Sequence, residues 1–160
     1  MRNLIMVAFV EPVAEGQVFL RTEWPLHITL VRFDLGNDDD TARFAALAEV
    51  PAKQALGTVL TVGADDRFGY RGSVPVSLVE ADPALQALHD SLVQLVEELS
   101  GRVASPHHTR RHFRPHVSHH GEKRVNPGDA VVLDQIALVD MAPDGDRTIR
   151  RILALWELRK

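Results

Sequence analysis

One pattern occurs twice in this chain: PLHITL at residues 25–30 and FRPHVS at residues 113–118. In both segments a histidine and a hydroxyl residue stand two positions apart, with an apolar residue between them. In an extended strand, residues i and i+2 face the same side, so the imidazole and the hydroxyl of each segment point together. The pattern therefore predicts two strands, each presenting one imidazole and one hydroxyl on a single face.

These residues supply what phosphodiester cleavage needs. A neutral imidazole can take a proton from the attacking hydroxyl or water, and an imidazolium can give one to the leaving oxygen. His27 and His116 suit both roles, while the hydroxyls of Thr29 and Ser118 can donate to the non-bridging phosphate oxygens. We predict that these four residues are catalytic. The sequence leaves open which histidine is the base.

The pattern by itself has low specificity in a chain with eight histidines. A third match at residues 107–109 lies in a polar stretch with no strand pattern, whereas the other two follow a proline and begin β-rich runs. The alternative for His27 and His116 is an ordinary core histidine with a satisfied hydrogen bond. For Thr29 and Ser118 the alternative is an ordinary strand hydroxyl.

The rest of the chain predicts an α+β fold with mainly antiparallel sheets, because strands and helices alternate in groups. One helix is expected at 39–50, stopped by Pro51, and another at 82–101, ended by Gly101. Residues 64–73 and 102–113 are expected to be loops, and the last two strands a hairpin. The predicted strands cover 3–10, 26–33, 55–62, 74–80, 115–119, 131–139 and 148–158. We expect one domain over residues 1–160.

Composition limits the function. With 45% hydrophobic and 25% charged residues, the chain is typical of globular proteins. The absence of cysteine excludes disulfides, thiolate metal ligands and a cysteine nucleophile. No stretch is long enough to span a membrane, and residues 4–10 indicate a strand rather than a signal peptide, so we expect a cytoplasmic protein with no membrane partner. The net charge of −4 disfavours non-specific binding of long nucleic acid.

Four further residues are candidates for binding substrate. Arg114 lies two positions before His116, on the same face if the strand reaches that far. Phe68 and Tyr70 stand in a glycine-flanked segment, where an aromatic ring can stack on a base. His120 shares the face of His116 if the strand continues. The alternatives are packing for the aromatic residues and a solvated basic loop for the arginine.

The histidine-rich stretch also raises the alternative of a metal site. His108, His112 and His116 are spaced by four, which would align them on a helix. Pro106 and Pro115 bracket this stretch and disfavour a regular helix. We therefore predict neither a metal site nor a cofactor.

The two histidine segments resemble the paired motifs of the two-histidine phosphoesterase superfamily, which includes 2′-5′ RNA ligase-like and cyclic phosphodiesterase proteins. Length, motif order and the succession of elements are similar over essentially the whole chain. The resemblance implies a bilobal fold with pseudo-twofold symmetry, in which two sheets flanked by helices enclose a central groove. Each lobe would contribute one histidine and one hydroxyl. One departure is His119, where the family usually has an apolar residue.

The resemblance also implies a function. It suggests a metal-independent phosphodiesterase acting on a 2′,3′-cyclic phosphate, a 2′-5′ linkage or a related phosphodiester, with hydrolysis as the expected direction. The partner would be an RNA end or a small nucleotide, and we expect a monomer. The alternative is a non-catalytic module that binds RNA ends or nucleotides on the same fold.

Overall fold

The computed structural model describes residues 1–158, which form ten strands and two α-helices, so the predicted α+β class is confirmed. The helices are α1 (Asp38–Ala55) and α2 (Pro83–Glu98). The strands are β1 (Arg2–Phe9), β2 (Val18–Leu20), β3 (His27–Leu35), β4 (Val59–Phe68), β5 (Val74–Val79), β6 (Arg102–Val103), β7 (His116–Ser118), β8 (Ala130–Val132), β9 (Gln135–Asp140) and β10 (Ile149–Glu157).

The strands form two antiparallel halves that join into one curled sheet. The order is β2-β10-β9-β1-β3 in the first half and β7-β5-β4-β8 in the second, with β6 added beside β3. The junction is the pair Ile28 and Val117, where β3 meets β7. The two lobes are therefore joined through the strands that carry the two histidine motifs.

A bulge in β3 changes which residues face the core. Thr29 pairs with Val7 and Val31 pairs with Met6, so Leu30 is an extra residue on β3. Before the bulge, the even-numbered Ile28 is buried in the main core and Thr29 faces the other side of the sheet. After the bulge, the odd-numbered residues Phe33 and Leu35 are the buried ones.

Helix α1 does not stop at Pro51, as the sequence predicted, but continues to Ala55. Proline removes its own N–H from the helical hydrogen bonds, and its ring crowds the carbonyl four residues earlier. The turn that follows it buries Ala52 and Ala55 in the main core. We attribute the continuation to this burial, which opposes the loss of one hydrogen bond.

Three other boundaries differ from the prediction. Strand β4 extends through the predicted loop to Phe68, because residues 65–68 pair with β5. The strand predicted at 131–139 is two strands, since β8 pairs with β4 and β9 pairs with β1 and β10. After α2, Ser100 rather than Gly101 takes the left-handed conformation, with φ 57°. Gly101 is needed for space, because a Cβ there would lie 2.8 Å from the carbonyl oxygen of Asp34. The predicted hairpin of β9 and β10 is confirmed.

Two apolar clusters cover the two faces of the first half of the sheet. The larger contains both helices, with Phe44 and Leu92 among its buried members. The smaller contains Val7, Phe9 and Trp24 and is partly covered by the segment that links β1 to β3. This segment carries Trp24 to a position beside His27. Within residues 1–158, no helix is both long and apolar enough to cross a membrane.

Candidate active site

The register of the β3–β7 junction brings the two histidine motifs together. Ile28 lies opposite Val117 in an antiparallel pair, so Thr29 is opposite His116 and His27 is opposite Ser118. Directly opposed residues face the same side, with Cβ atoms about 5 Å apart, and diagonal neighbours are about 7–8 Å apart. The two imidazoles therefore lie diagonally across the junction, each opposite the hydroxyl residue of the other strand.

The His27 ring is fixed by one backbone hydrogen bond and two aromatic neighbours. Its Nδ1 lies 2.8 Å from the carbonyl oxygen of Pro25, which can only accept, so Nδ1 carries the proton and Nε2 is left unprotonated. Trp24 packs on the ring at 4.4 Å between centroids, and Phe9 packs at 6.1 Å. Burial lowers the pKa of His27 to about 4, and the neighbouring charges of His120 and His116 act in the same direction.

His116 repeats this arrangement in the second half. Its Nδ1 lies 2.8 Å from the carbonyl oxygen of Arg114, again two residues earlier, so Nε2 is the unprotonated nitrogen of the neutral ring. Phe68 contacts the ring edge-on at 4.4 Å between centroids. Burial lowers the pKa of His116, and the charge of Arg114 lowers it further. Both histidines thus keep Nε2 available while Nδ1 holds the ring in place.

The two motif hydroxyls are also available. Thr29 and Ser118 are partly exposed, and neither side chain forms a hydrogen bond with any residue between 1 and 158. Ser77, on the neighbouring strand, is different: its buried hydroxyl donates to the carbonyl of Val125 at 3.0 Å and lies 2.7 Å from Nε2 of His119. His119 therefore faces away from His116, and its polar ring is accommodated by Ser77.

A cleft of about 540 Å³ opens beside Thr29 and His116. Two of the predicted substrate residues line it: Arg114 and Phe68. The Arg114 guanidinium lies 4.8 Å from the centre of the Phe68 ring and 3.1 Å from a carboxylate oxygen of Asp66. Tyr70 lies outside the cleft, because the turn at 70–72 leaves it 78% exposed beneath the Arg71 side chain.

His120 lies on the other flank, near His27. Its backbone pairs with that of Lys123, with both N–H to carbonyl distances at 3.0 Å. Lys123 in turn donates to Glu11 at 2.9 Å, and the same carboxylate oxygen accepts from the backbone N–H of Leu26 at 2.7 Å. This flank is therefore held together by ion pairing around the start of β3, whereas the open cleft lies on the His116 side.

Several cleft residues were not predicted from the sequence to bind substrate. They come from β3, from the end of β4, from α2 and from the loop before β7, and they include Arg32, Arg67, His89, Ser105, His108 and Thr109. Only the pairing of β3 with β7 brings these elements to one place. The predicted basic loop at 102–113 forms the short strand β6 and two 3₁₀ turns.

His89 connects this loop to the motif strand. The ring is 1% exposed, and its Nδ1 donates to the carbonyl of Leu30, the bulge residue after Thr29, at 2.6 Å. Its Nε2 accepts from the backbone N–H of Arg110 at 2.9 Å. Phe113 stacks on the ring at 3.9 Å, with the two planes parallel to within 1°. Burial lowers the pKa of His89, which keeps Nε2 available as an acceptor.

Helix α2 holds Arg110 at two further points. Gln86 donates to the carbonyl oxygen of Arg110 at 2.6 Å, and Glu97 forms an ion pair with its guanidinium. The backbone of Arg110 has φ 57°, a left-handed conformation that is unfavourable for a residue other than glycine. We infer that these contacts and the His89 bond stabilise this conformation.

The histidine-rich stretch does not form the helix that a metal site with a spacing of four would require. Residues 106–108 and 110–112 are separate 3₁₀ turns. Within residues 1–158, no three or more histidine, aspartate or glutamate side chains form a group that could hold a metal ion.

Two antiparallel lobes that meet at paired histidine and hydroxyl motifs define the two-histidine phosphoesterase class. The chain belongs to the 2′-5′ RNA ligase superfamily, whose sequence model matches residues 9–150. This confirms the family that the two motifs indicated. The family is one of phosphoesterases and ligase-like enzymes.

Solved structures show the same fold. A protein described as a phosphoesterase is 16% identical, with all of both chains covered and a TM-score of 0.64. Escherichia coli LigT complexed with 3′-AMP is 16% identical, with 99% of each chain covered and a TM-score of 0.63. TT0787 of Thermus thermophilus is 20% identical, with 98% of each chain covered and a TM-score of 0.61. No curated protein sequence matches the chain.

Proposed function

We propose that this protein is a metal-independent phosphodiesterase that hydrolyses a 2′,3′-cyclic phosphate at an RNA end or on a small nucleotide. The observation that carries the proposal is the pair of imidazoles at the β3–β7 junction. Both rings hold Nδ1 on a carbonyl two residues earlier, so both leave Nε2 free for proton transfer. Acid/base chemistry on one phosphate needs two such nitrogens.

The reaction uses each motif residue once. One Nε2 takes a proton from water as the water oxygen attacks phosphorus. The other Nε2–H gives a proton to the ribose oxygen as its bond to phosphorus breaks, and a phosphate monoester is the product. The hydroxyls of Thr29 and Ser118 donate to the non-bridging oxygens, where negative charge increases in the transition state.

We assign His27 as the base and His116 as the acid. Burial lowers the pKa of His27 to about 4, so its ring is neutral and able to accept a proton over most of the pH range. Burial also lowers the pKa of His116, and the phosphate anion bound beside it would favour its charged form. The sequence alone left this assignment open.

Nucleotides as substrates are supported by the relatives. Escherichia coli LigT has been solved in complex with 3′-AMP, with ATP and with NADP+. Among the residues named from the sequence, we assign Arg114 and Phe68 to substrate binding beside His116, which their position in the lining of the cleft supports. We assign His120 to the flank of His27. A cytoplasmic, monomeric protein remains our prediction.

The test is hydrolysis of adenosine 2′,3′-cyclic phosphate, with the product identified by phosphorus NMR. We expect His27→Ala and His116→Ala each to lower kcat by about 10²- to 10⁴-fold, the usual loss when acid/base help is removed. His107→Ala is the matched control, because His107 begins the third copy of the motif and is exposed outside the cleft.

Each outcome has a defined meaning. Wild-type rates in both His27 and His116 variants would refute the mechanism. Tight binding of the cyclic nucleotide without turnover would favour the non-catalytic binding module. Loss of activity in EDTA, with recovery on adding a divalent metal, would favour the metalloprotein.

A further inference from the structure

The carbonyl that holds the His27 ring belongs to a peptide group whose other end is bonded to a carboxylate. His27 donates Nδ1–H to the carbonyl of Pro25 at 2.8 Å. That carbonyl shares its peptide plane with the N–H of Leu26. The Leu26 N–H donates to Oε2 of Glu11 at 2.7 Å. The Glu11 carboxylate, the peptide group and the imidazole therefore form one continuous chain of hydrogen bonds.

The Glu11 carboxylate is charged at neutral pH. Burial opposes the charge, but the bonds from Lys123 and from the Leu26 N–H together hold the pKa of Glu11 below its ordinary value. The Lys123 ammonium reaches the same Oε2 at 2.9 Å. Leu26 is a buried residue, so its N–H depends on this acceptor rather than on water. A charged acceptor forms a stronger bond with a backbone N–H than a neutral one does.

A charged acceptor at one end of a peptide group changes the other end. When a carboxylate accepts from the N–H, the peptide group is polarised and negative charge increases on its carbonyl oxygen. The Pro25 carbonyl therefore becomes a better acceptor for the Nδ1–H of His27. The stronger bond fixes the ring with Nε2 unprotonated and raises the affinity of Nε2 for a proton.

The second motif has the same ring contact but cannot form this chain. His116 donates Nδ1–H to the carbonyl of Arg114, and the nitrogen of that peptide group belongs to Pro115. Proline has no N–H, so no carboxylate can accept from the far end of the group. Burial lowers the pKa of His116, and the positive charge of Arg114 lowers it further. This contrast matches the assignment of His27 as base and His116 as acid.

We propose that Glu11 is a positioning residue for the reaction: through the Pro25–Leu26 peptide group, it strengthens the bond that holds His27 and makes Nε2 a stronger base. The inference rests on the proposed function, which assigns His27 as the base. In a catalytic triad a carboxylate supports a histidine by direct contact. Here the support passes through one peptide group.

Two variants separate the charge of Glu11 from its hydrogen bond. Glu11→Gln keeps an oxygen that can accept from Leu26 but removes the negative charge, whereas Glu11→Ala removes both. With adenosine 2′,3′-cyclic phosphate, we expect kcat to fall about threefold in Glu11→Gln and about tenfold in Glu11→Ala, with KM within about twofold of wild type. Glu15→Ala is the matched control, because Glu15 is an exposed carboxylate on the same segment between β1 and β3.

Glu11→Gln is the decisive variant, because it keeps the bond that the fold needs. A merely structural role for Glu11 predicts wild-type kcat in Glu11→Gln, and that result would overturn the proposal. A loss of kcat in Glu11→Gln with unchanged stability in urea would support it, whether or not Glu11→Ala folds.

The ion pair between Glu11 and Lys123 is tested separately. Lys123 lies in the loop after β7, so this pair also joins the two halves of the sheet. Lys123→Gln leaves the carboxylate and its bond to Leu26 in place, and we expect it to lower kcat less than Glu11→Gln does. A loss in Lys123→Gln as large as that in Glu11→Ala would assign the effect to the ion pair and overturn the role of the peptide group.

NMR of the His27 ring gives a readout that needs no turnover. The chemical shift of the Nδ1 proton reports the strength of its hydrogen bond, and the His27 signal is identified by its loss in His27→Gln. We expect this signal to move upfield in Glu11→Gln and further upfield in Glu11→Ala, with no change in Glu15→Ala. Such a shift would support the role of Glu11 even if no cyclic phosphate were hydrolysed. A wild-type shift in both Glu11 variants would overturn that role even if hydrolysis were observed.

Discussion

At the scale of single residues, the two histidines are alike in how they are held and different in how strongly they favour the neutral ring. Each donates Nδ1–H to a carbonyl two residues earlier, that of Pro25 for His27 and that of Arg114 for His116. His27 is also enclosed by Trp24 and Phe9, whereas His116 has Phe68 at its edge. This difference in enclosure is consistent with the proposed roles of His27 as base and His116 as acid.

The pH dependence of kcat/KM tests these proposed base and acid roles. The rate should rise as pH increases through about 4, where His27 loses its proton, and fall as pH passes the pKa of His116, which burial holds below its ordinary value. We therefore expect an optimum between pH of about 4 and about 6.5.

Each single histidine variant should remove one side of this pH profile. His116→Ala should lose the fall on the alkaline side, because no acid remains to be deprotonated. His27→Ala should lose the rise on the acid side. If the two variants lost the opposite sides, the roles of base and acid would be exchanged.

The sequence specified which side chains of each motif share a strand face, but it did not specify what surrounds them. Spacing by two fixes which side chains share a strand face, so His27 and Thr29 could be paired from the sequence alone. Arg32 and Arg67 could not be placed, because a bulge at Leu30 changes the phase of β3 and because β4 runs further than its polar sequence suggests. Both effects depend on partner strands that local patterns do not specify.

At the scale of elements, α2 supports one wall of the cleft through His89. This ring bonds the backbone of β3 on one side and the backbone of the loop before β7 on the other. The sequence predicted a helix over 82–101, but it gave no reason to single out a histidine within it. The role of His89 depends on what the helix packs against.

We expect His89→Ala to raise KM for nucleotides about tenfold and to reduce the free energy of unfolding by about 2–4 kcal/mol, because it leaves the N–H of Arg110 and the carbonyl of Leu30 without partners. His89→Gln should recover much of both losses, since one amide can donate to Leu30 and accept from Arg110. Steady-state kinetics, urea unfolding and amide hydrogen exchange at residues 105–113 measure these effects.

The matched control for this prediction is Gln94→Ala, which removes an exposed α2 side chain that donates a hydrogen bond to Glu98. A purely structural role for His89 would lower stability without changing exchange in the loop. Unchanged KM and unchanged exchange at residues 105–113 in His89→Ala would therefore contradict the positioning role.

At the scale of the whole molecule, the fold concentrates neutral histidines around the junction of its two halves. Burial is the largest cause of a lowered pKa at each of five rings: His27, His89, His116, His119 and His120. The unfolded chain binds protons at these sites once pH falls below about 6.5, whereas the folded chain does not until a lower pH. Folding stability is therefore expected to be complete above that pH and to decrease as pH falls toward about 4.

Carboxylates act in a lower window. Ion pairing and hydrogen bonding lower the pKa of Glu11, Asp65 and Asp146 in the folded state despite opposing desolvation. Their contribution is present above their ordinary pKa values of about 4 and is lost only below them. Between pH 7 and 5, the histidines therefore determine whether the free energy of unfolding rises or falls with pH.

Urea unfolding at pH 7.5 and pH 5.0 measures this dependence. One proton bound only by the unfolded state changes the free energy of unfolding by about 1.4 kcal/mol per pH unit, so we expect the wild-type protein to lose more than about 1 kcal/mol at pH 5.0. His27→Gln should reduce that loss, because the site no longer titrates, and should leave the urea dependence unchanged. Stability that stayed constant or rose on acidification would contradict the buried neutral state of these rings. Because the same burial sets both stability and the acid-side activity profile, loss of rate near pH 4 must be separated from unfolding by measuring both on the same sample.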